Sequence, residues 1–106
     1  MSAQNQNKAF FWGKKLKNYF AAKPVKKAYI FGSYSRNEQT EESDIDILVE
    51  LDYDKGADFF LFVEMQEELS RILAKKVDLV SANGLSKYIK PYIEADKKLI
   101  YDYAAL

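Results

Sequence analysis

Two short apolar runs, each joined to residues that a buried strand rarely carries, constrain this chain most. The first run, residues 29–31, ends at Gly32 and Ser33. The second run, residues 45–49, is preceded by Asp44 and contains Asp46. Because side chains alternate between the two faces of a strand, Asp44 and Asp46 share a face and Ile45 points the opposite way. The sequence therefore predicts one strand that ends in a tight turn and another with two carboxylates on one side.

A turn of this kind close to paired acids is typical of a site for a metal-chelated nucleoside triphosphate. Backbone N–H groups at a Gly-Ser turn can face a phosphate. Paired carboxylates can bridge divalent ions, and ions about 3.5–4 Å apart recur in enzymes of phosphoryl and nucleotidyl transfer. A third acid, Asp78, lies in the apolar run 77–80, where a carboxylate is costly unless it is paired or metal-bound. We therefore expect Asp44, Asp46 and Asp78 to lie side by side.

Each of these elements also has an ordinary structural interpretation. Gly and Ser are common wherever a strand ends, and an Asp-x-Asp pair can lie on a solvated strand edge. Asp78 alone could be an edge residue whose carboxylate lies in water. The order and spacing of the three elements, with each acid in a strand-like run, favour the functional interpretation.

Composition limits the chemistry and the size of the protein. A chain of 106 residues that is 48% hydrophobic fits a single domain, residues 1–106, with one modest core. It contains no Cys and no His, so any metal would be held by oxygen ligands, which favours magnesium or manganese. No stretch approaches the roughly 18 apolar residues of a membrane span, and the first seven residues lack an apolar signal core, so we expect a cytoplasmic protein.

Charge is distributed unevenly along the chain although the formal net charge is zero. Residues 1–37 contain eight Lys and Arg and no acid, so the other 69 residues carry a net charge of minus eight. The basic segment could attract a triphosphate or a nucleic acid. The spacing of Trp12, Leu16, Tyr19 and Phe20 instead favours a helix whose lysines form its wet face.

The same patterns predict alternating strands and helices, and hence a small α/β sheet of three or four strands flanked by helices. Pro24 ends a first helix, and Pro91 implies either a kinked helix or one that begins near residue 90. In the second helix, Phe62, Met65, Leu69, Ile72 and Leu73 form a core-facing stripe. The predicted helices are 7–21, 58–74 and a C-terminal helix on which Leu85, Tyr88, Ile89, Tyr92 and Ile93 share helical spacing, and the predicted strands are 26–31, 44–51, 76–80 and 99–102.

The motifs FGSYSRN at 31–37 and SDIDILV at 43–49 resemble the signature of minimal nucleotidyltransferase (MNT) proteins of the DNA polymerase beta superfamily. The resemblance continues through KVDLV at 76–80 and covers residues 24–103. It implies a mixed sheet of the polymerase-beta-like nucleotidyltransferase fold. This chain departs from the family where the family commonly has Ala-Arg-Gly, because Ser35 and Asn37 replace the Ala and the Gly. Asn tolerates the left-handed conformation better than most residues, so we expect the turn to persist.

The resemblance also implies roles for individual residues. Catalytic and metal-binding roles fall on Asp44, Asp46 and Asp78, with Mg²⁺ or Mn²⁺ as cofactor and ATP as substrate. Nucleotide binding falls on Gly32, Ser33, Arg36 and Ser43. Arg36 could contact the triphosphate or a structural carboxylate such as Glu38, Glu41 or Glu42.

MNT proteins are typically encoded beside a HEPN-domain protein, and some are antitoxins that transfer AMP from ATP to a tyrosine of that HEPN toxin, a ribonuclease. A similar reaction is our leading hypothesis, because so short a chain leaves no room for a second substrate pocket. The alternative is a binding-type antitoxin with a vestigial site, which neutralises its partner by covering it. Transfer to a small molecule and nucleic-acid polymerisation are disfavoured, since both need more chain. The sequence leaves open a homo- or hetero-oligomer, and places Phe10, Phe11 and Trp12 equally well in an interface or in the core.

Overall fold

The computed structural model describes residues 12–105 and confirms the mixed α/β architecture. Within those residues there are three helices and four strands, and a short 3₁₀ turn follows each strand. The helices and strands are α1 (Gly13–Ala21), β1 (Val25–Phe31), β2 (Ile45–Leu51), α2 (Phe59–Leu73), β3 (Val77–Ser81), α3 (Lys90–Asp96) and β4 (Lys98–Asp102). Each predicted strand agrees with an observed one to within one residue at either end.

The four strands form one sheet in the order β3-β2-β1-β4. β1 is antiparallel to both of its neighbours, whereas β2 and β3 are parallel and are joined by α2. As a result the last residue of β1, Phe31, lies opposite Asp46, and Asp46 lies opposite Asp78. The end of β1 and the beginnings of β2 and β3 therefore meet at one edge of the sheet.

One face of the sheet carries the main apolar core. In β2 the alternate residues Ile45, Ile47 and Val49 are fully buried, as the alternation in the sequence predicts. They belong to a cluster with side chains from α1 and α2. The buried members that these two helices contribute are Leu16, Phe20, Met65, Leu69 and Leu73. Asp46 and Asp78 must then face the opposite side of the sheet, away from this core.

α1 ends before Pro24, as predicted, and has its lysines on the outside. Leu16 and Phe20 are buried, whereas Lys14, Lys15 and Lys17 are exposed, which confirms the wet-face interpretation. Trp12 packs against the core, with its ring centroid 5.4 Å from that of Tyr34. The predicted start of this helix near residue 7, together with Phe10 and Phe11, lies outside the described residues.

Two details of the helices differ from the simplest interpretation of the sequence. Ile72 was expected in the core-facing stripe of α2 but is 39% exposed, because it lies at the rim of the stripe, whereas Phe62 packs against the core as predicted. α3 begins at Lys90 with Pro91 in its first turn, so of the two alternatives for Pro91 the late start is correct. Among residues 12–105 no helix has both the length and the apolar character to cross a membrane.

Candidate functional site

Asp46 and Asp78 are brought together by the parallel pairing of β2 and β3. They are directly opposite each other in the register, so their side chains leave the sheet on the same face. Asp44 immediately precedes β2 and is near enough for its charge to act on Asp46. The structure therefore places Asp46 and Asp78 side by side, with Asp44 near Asp46, at the edge of the sheet where β1 ends.

The electrostatics of Asp46 reflect this crowding. Partial burial, followed by the negative charges of Asp78 and Asp44, raises the pKa of Asp46 to about 6, and the positive charge of Arg36 opposes the shift. A carboxylate with a raised pKa beside two other carboxylates is a group whose charge lacks compensation. A bound cation would supply that compensation.

The donor set fits a hard divalent cation. Within residues 12–105 neither Asp46 nor Asp78 makes a hydrogen bond or ion pair. The oxygens that could bind a metal here are all carboxylate oxygens, the ligands that magnesium prefers. Asp44 is engaged differently, since its Oδ2 lies 3.7 Å from Nζ of Lys76. No three acidic side chains of the described chain are arranged as a ready-made metal cage.

The turn after β1 approaches Asp46 so closely that a side chain at its first position would be strained and would displace the Asp46 carboxylate. Gly32 has φ of +73°, in the left-handed region, and a Cβ added there would lie 2.3 Å from Oδ2 of Asp46. The carbonyl of Gly32 accepts the N–H groups of Ser35 and Arg36, and that of Ser33 accepts those of Arg36 and Glu38. The carbonyls are thus used inside the turn, whereas the first N–H groups of such a turn have no partner within it.

Both departures from the family pattern suit the turn. Asn37 has φ of +58°, so the expectation that it adopts the left-handed conformation is confirmed. Ser35 is buried, and its hydroxyl donates to the carbonyl of Gly32 at 2.9 Å. The serine therefore adds a bond inside the turn that an alanine could not make.

The guanidinium of Arg36 forms ion pairs with two carboxylates. Its Nε donates to Glu38 at 3.1 Å, and its Nη1 donates to Asp96 at the end of α3. Of the partners considered from the sequence, Glu38 is present and Glu41 and Glu42 are not among those the structure gives to Arg36.

Ser33 and Ser43 differ in their surroundings. Ser33 lies half-buried within the turn, beside Gly32. The Oγ of Ser43 accepts the backbone N–H of Thr40 at 2.9 Å, inside the loop that leads to Asp44. Ser43 thus shapes this loop in the structure.

Sequence reasoning missed two residues of the site. Asp96 joins Arg36, in the turn after β1, to α3, and a separation of 60 residues leaves no local signal of that pair. Lys76, the partner of Asp44, directly precedes the strand that carries Asp78. A lysine next to an acidic motif in a neighbouring strand could have been recognised from the order of the strands.

Comparison with known proteins defines the class. The model of the family described as Polymerase beta, Nucleotidyltransferase matches residues 14–105. This chain therefore belongs to the polymerase beta nucleotidyltransferase family.

Two relatives carry the name of a narrower class of enzyme within this family. A Methanocaldococcus jannaschii protein, provisionally named a protein adenylyltransferase, is 49% identical over 78 residues, which are 73% of this chain and 76% of that protein. The protein adenylyltransferase MntA of Thermococcus cleftensis is 40% identical over 65 residues, 61% of this chain and 64% of MntA.

Solved structures agree with the fold. A chain in the crystal structure of a toxin–antitoxin with AMP-PNP superposes with a TM-score of 0.74 at 25% identity, covering 88% of this chain and 75% of that one. A chain of a tri-AMPylated Shewanella oneidensis HEPN toxin in complex with its MNT antitoxin gives a TM-score of 0.60 at 26% identity and covers 99% and 76%. The polymerase-beta-like nucleotidyltransferase fold is confirmed.

Proposed function

We propose that this protein is a magnesium-dependent nucleotidyltransferase that acts as an antitoxin by transferring AMP from ATP to a tyrosine hydroxyl of a partner HEPN toxin. The observation that carries the proposal is the pairing of Asp46 with Asp78 across two parallel strands, directly beside the Gly32 turn. Nucleotidyl transfer needs such a combination, because the acids and the turn must act on one triphosphate. The use of ATP favours action in the cytoplasm.

Each site residue has a chemical role in this proposal. Asp44, Asp46 and Asp78 would hold Mg²⁺, or Mn²⁺ in its place, which when bound neutralises charge on the triphosphate and on the leaving pyrophosphate. Gly32 and Ser33 would bind the phosphates through the backbone of the turn. Arg36 and Ser43, which already have partners in the loops, would support nucleotide binding by holding these loops in shape.

The transfer itself is an in-line displacement at the α-phosphorus. The tyrosine oxygen forms a bond to that phosphorus, the bond between the α-phosphorus and the bridging oxygen breaks, and pyrophosphate leaves. Asp78 orients the hydroxyl and accepts its proton. The products are an AMP-tyrosine ester and pyrophosphate, so all atoms of ATP and the acceptor are accounted for.

The relatives support a protein as acceptor. Two of them are named protein adenylyltransferases, and one structural neighbour is a complex of an MNT antitoxin with an AMP-carrying HEPN toxin. Two cavities of the described chain, of about 210 and 270 Å³, are lined by residues other than the three acids. A hydroxyl that belongs to a second protein requires no such cavity.

The decisive experiment incubates the pure protein with α-labelled ATP, Mg²⁺ and a HEPN-domain protein encoded beside it in the genome. We expect label on a tyrosine of the HEPN protein, and at least a hundredfold less label with Asp44→Asn or Asp78→Asn. Asp54→Asn is the matched control, because Asp54 is exposed in a turn away from the site. A tight complex without any label would refute the transfer and favour a binding-type antitoxin.

A further inference from the structure

We propose that the exposed side chains of Tyr88, Ile89 and Tyr92 form the docking surface for the acceptor protein, and that the matching surface of that protein is apolar with an acidic rim. We call these three residues the aromatic face. The inference deepens the proposed function and rests on it, since it names the surface that presents the acceptor to the acids.

The aromatic face is formed by Tyr88 and Ile89, in the turn that leads into α3, and by Tyr92 on α3 itself. The N–H of Lys90 bonds to the carbonyl of Ser86, and that of Ile93 to the carbonyl of Ile89, so helical bonding precedes the first residue of α3. Residues four apart share a side of a helix, which places Tyr88 and Tyr92 together. Sequence spacing alone would equally suit a buried stripe.

The structure buries Ile93 of this segment and leaves the three residues of the aromatic face exposed. Ile93 is 3% exposed, whereas Tyr88, Ile89 and Tyr92 are 74%, 53% and 76% exposed. Three large apolar side chains on one and a half turns are an adjoining exposed patch rather than scattered surface residues. Tyrosine is also among the residues that anchor protein interfaces, because it brings a large rigid ring and a polar tip.

The position of the aromatic face suits an acceptor that must reach the acids. Asp96, one turn beyond Tyr92 on the same side of α3, accepts a hydrogen bond from Arg36 in the turn after β1. At a rise of about 1.5 Å per residue, Tyr92 and Asp96 are separated by roughly 6 Å along the helix axis. A protein bound along α3 would therefore extend directly to the edge of the candidate site.

Charge indicates the chemistry of the partner. The two acids of α3 are already paired, Glu94 with Lys97 and Asp96 with Arg36. Lys87 and Lys90 beside the aromatic face are exposed, and within residues 12–105 neither forms a salt bridge. The rim of the surface is therefore basic and complements an acidic rim. A protein suits it better than single-stranded RNA, because Ile89 cannot stack on a base and the proposed reaction needs a tyrosine.

The test measures binding separately from transfer. The affinity of the full-length protein for the HEPN-domain protein of the neighbouring gene is measured without nucleotide, by calorimetry. We expect Tyr88→Ser combined with Tyr92→Ser to weaken binding at least tenfold, and Lys87→Glu combined with Lys90→Glu to do so as well. Neither double variant should alter the thermal shift produced by Mg²⁺-ATP.

Matched controls come from exposed residues elsewhere in the fold. Phe59 and Phe60 are 73% and 81% exposed at the start of α2, so Phe59→Ser with Phe60→Ser removes as much apolar surface. Lys14→Glu with Lys15→Glu on α1 repeats the charge reversal. Both controls should bind within twofold of the unmodified chain.

Three results would overturn the inference: no complex with the unmodified chain, unchanged binding by the tyrosine variant, or an equal loss in the Phe59 and Phe60 control. A fluorescent 15-nucleotide RNA serves as a further probe, and loss of RNA binding without loss of protein binding would also refute a protein partner. Failure of the proposed function looks different. In that case the complex forms, depends on the aromatic face, and yet carries no label.

Discussion

At the scale of single residues, the site is built from contacts that are costly to the fold. Gly32 lies against Asp46 in a left-handed conformation, and the negative charges of Asp78 and Asp44 act on Asp46. Arrangements of this kind persist when they serve a function, since each lowers the stability of the free protein. Both can be tested by substitution.

Replacing Gly32 by alanine separates backbone strain from the contact with Asp46. The left-handed conformation costs an alanine about 1–2 kcal/mol, and its Cβ would also displace the Asp46 carboxylate. We expect Gly32→Ala to lower the free energy of unfolding and to abolish binding of Mg²⁺-ATP, measured by urea unfolding and thermal shift.

Gly56 is the matched control for Gly32. It has φ of +97°, yet an added Cβ there would meet nothing within 4 Å. Gly56→Ala should therefore show a comparable loss of stability and unchanged binding of Mg²⁺-ATP. Equal loss of binding in both variants would mean that strain alone, and not the approach to Asp46, accounts for the effect.

The raised pKa of Asp46 predicts an unusual dependence of stability on pH. Burial and the neighbouring acids raise its pKa from the ordinary 3.8 to about 6 in the folded state. Between these values the folded state binds more protons than the unfolded state, so this group lowers stability as pH rises from about 4 towards 7. Without divalent ions, the unmodified chain should therefore lose stability over that window relative to Asp46→Asn.

Unfolding in urea at pH 4, 5, 6 and 7, with a chelator present, measures this difference. Asp54→Asn is again the control, and its stability should run parallel to that of the unmodified chain. A gain in the stability of the unmodified chain relative to Asp46→Asn as pH rises would contradict the raised pKa.

At the scale of elements, α2 protects the outer edge of β3. Val77 donates its N–H to Oγ of Ser70 at 3.0 Å, and Leu79 donates its N–H to Oε1 of Gln66 at 3.2 Å. Gln66 and Ser70 are four residues apart and so share a side of α2. Side chains of α2 thus take the place of a neighbouring strand at the outer edge of β3. The two backbone N–H groups at this edge already have acceptors, so they cannot pair with a strand of another chain.

Removing Ser70 tests this protection. Ser70→Ala leaves the N–H of the buried Val77 without its acceptor, which should cost about 1–3 kcal/mol of unfolding free energy. Chemical denaturation gives the value. Glu67→Ala on the exposed side of the same helix should be nearly neutral, and a Ser70→Ala variant as stable as that control would show that water replaces the hydroxyl at no cost.

The sequence predicts the strands and helices better than it predicts the contacts between them. The alternation of Ile45, Ile47 and Val49 with acids was enough to predict β2 and the direction of its side chains, because the period of a strand is local. The exposure of Tyr88 and Tyr92 could not be predicted, since helical spacing is the same for a buried stripe and for a binding face. The pair of Arg36 with Asp96 depends on where the tertiary fold places α3, which no local pattern encodes.

At the scale of the whole molecule, the topology makes the site. Because β1 runs against β2 while β3 runs with it, the Gly32 turn and the three acids meet at one edge of the sheet. The other face of the sheet is filled by the core with α1 and α2. The apo protein therefore gathers negative charge at this edge, and a ligand that brings cations should stabilise the whole domain.

This coupling predicts a large thermal shift. A ligand at a hundredfold excess over its Kd stabilises the native state by about 2.7 kcal/mol. For a domain of about 100 residues, that increment raises the Tm on the order of 10–20 °C. We expect Mg²⁺-ATP to produce such a shift in the isolated chain. Asp46→Asn should abolish most of it while being at least as stable as the unmodified chain without ligand, because the substitution also removes charge repulsion. A shift that persists in Asp46→Asn, or that ATP produces equally with chelator and with Mg²⁺, would place the nucleotide elsewhere in the molecule.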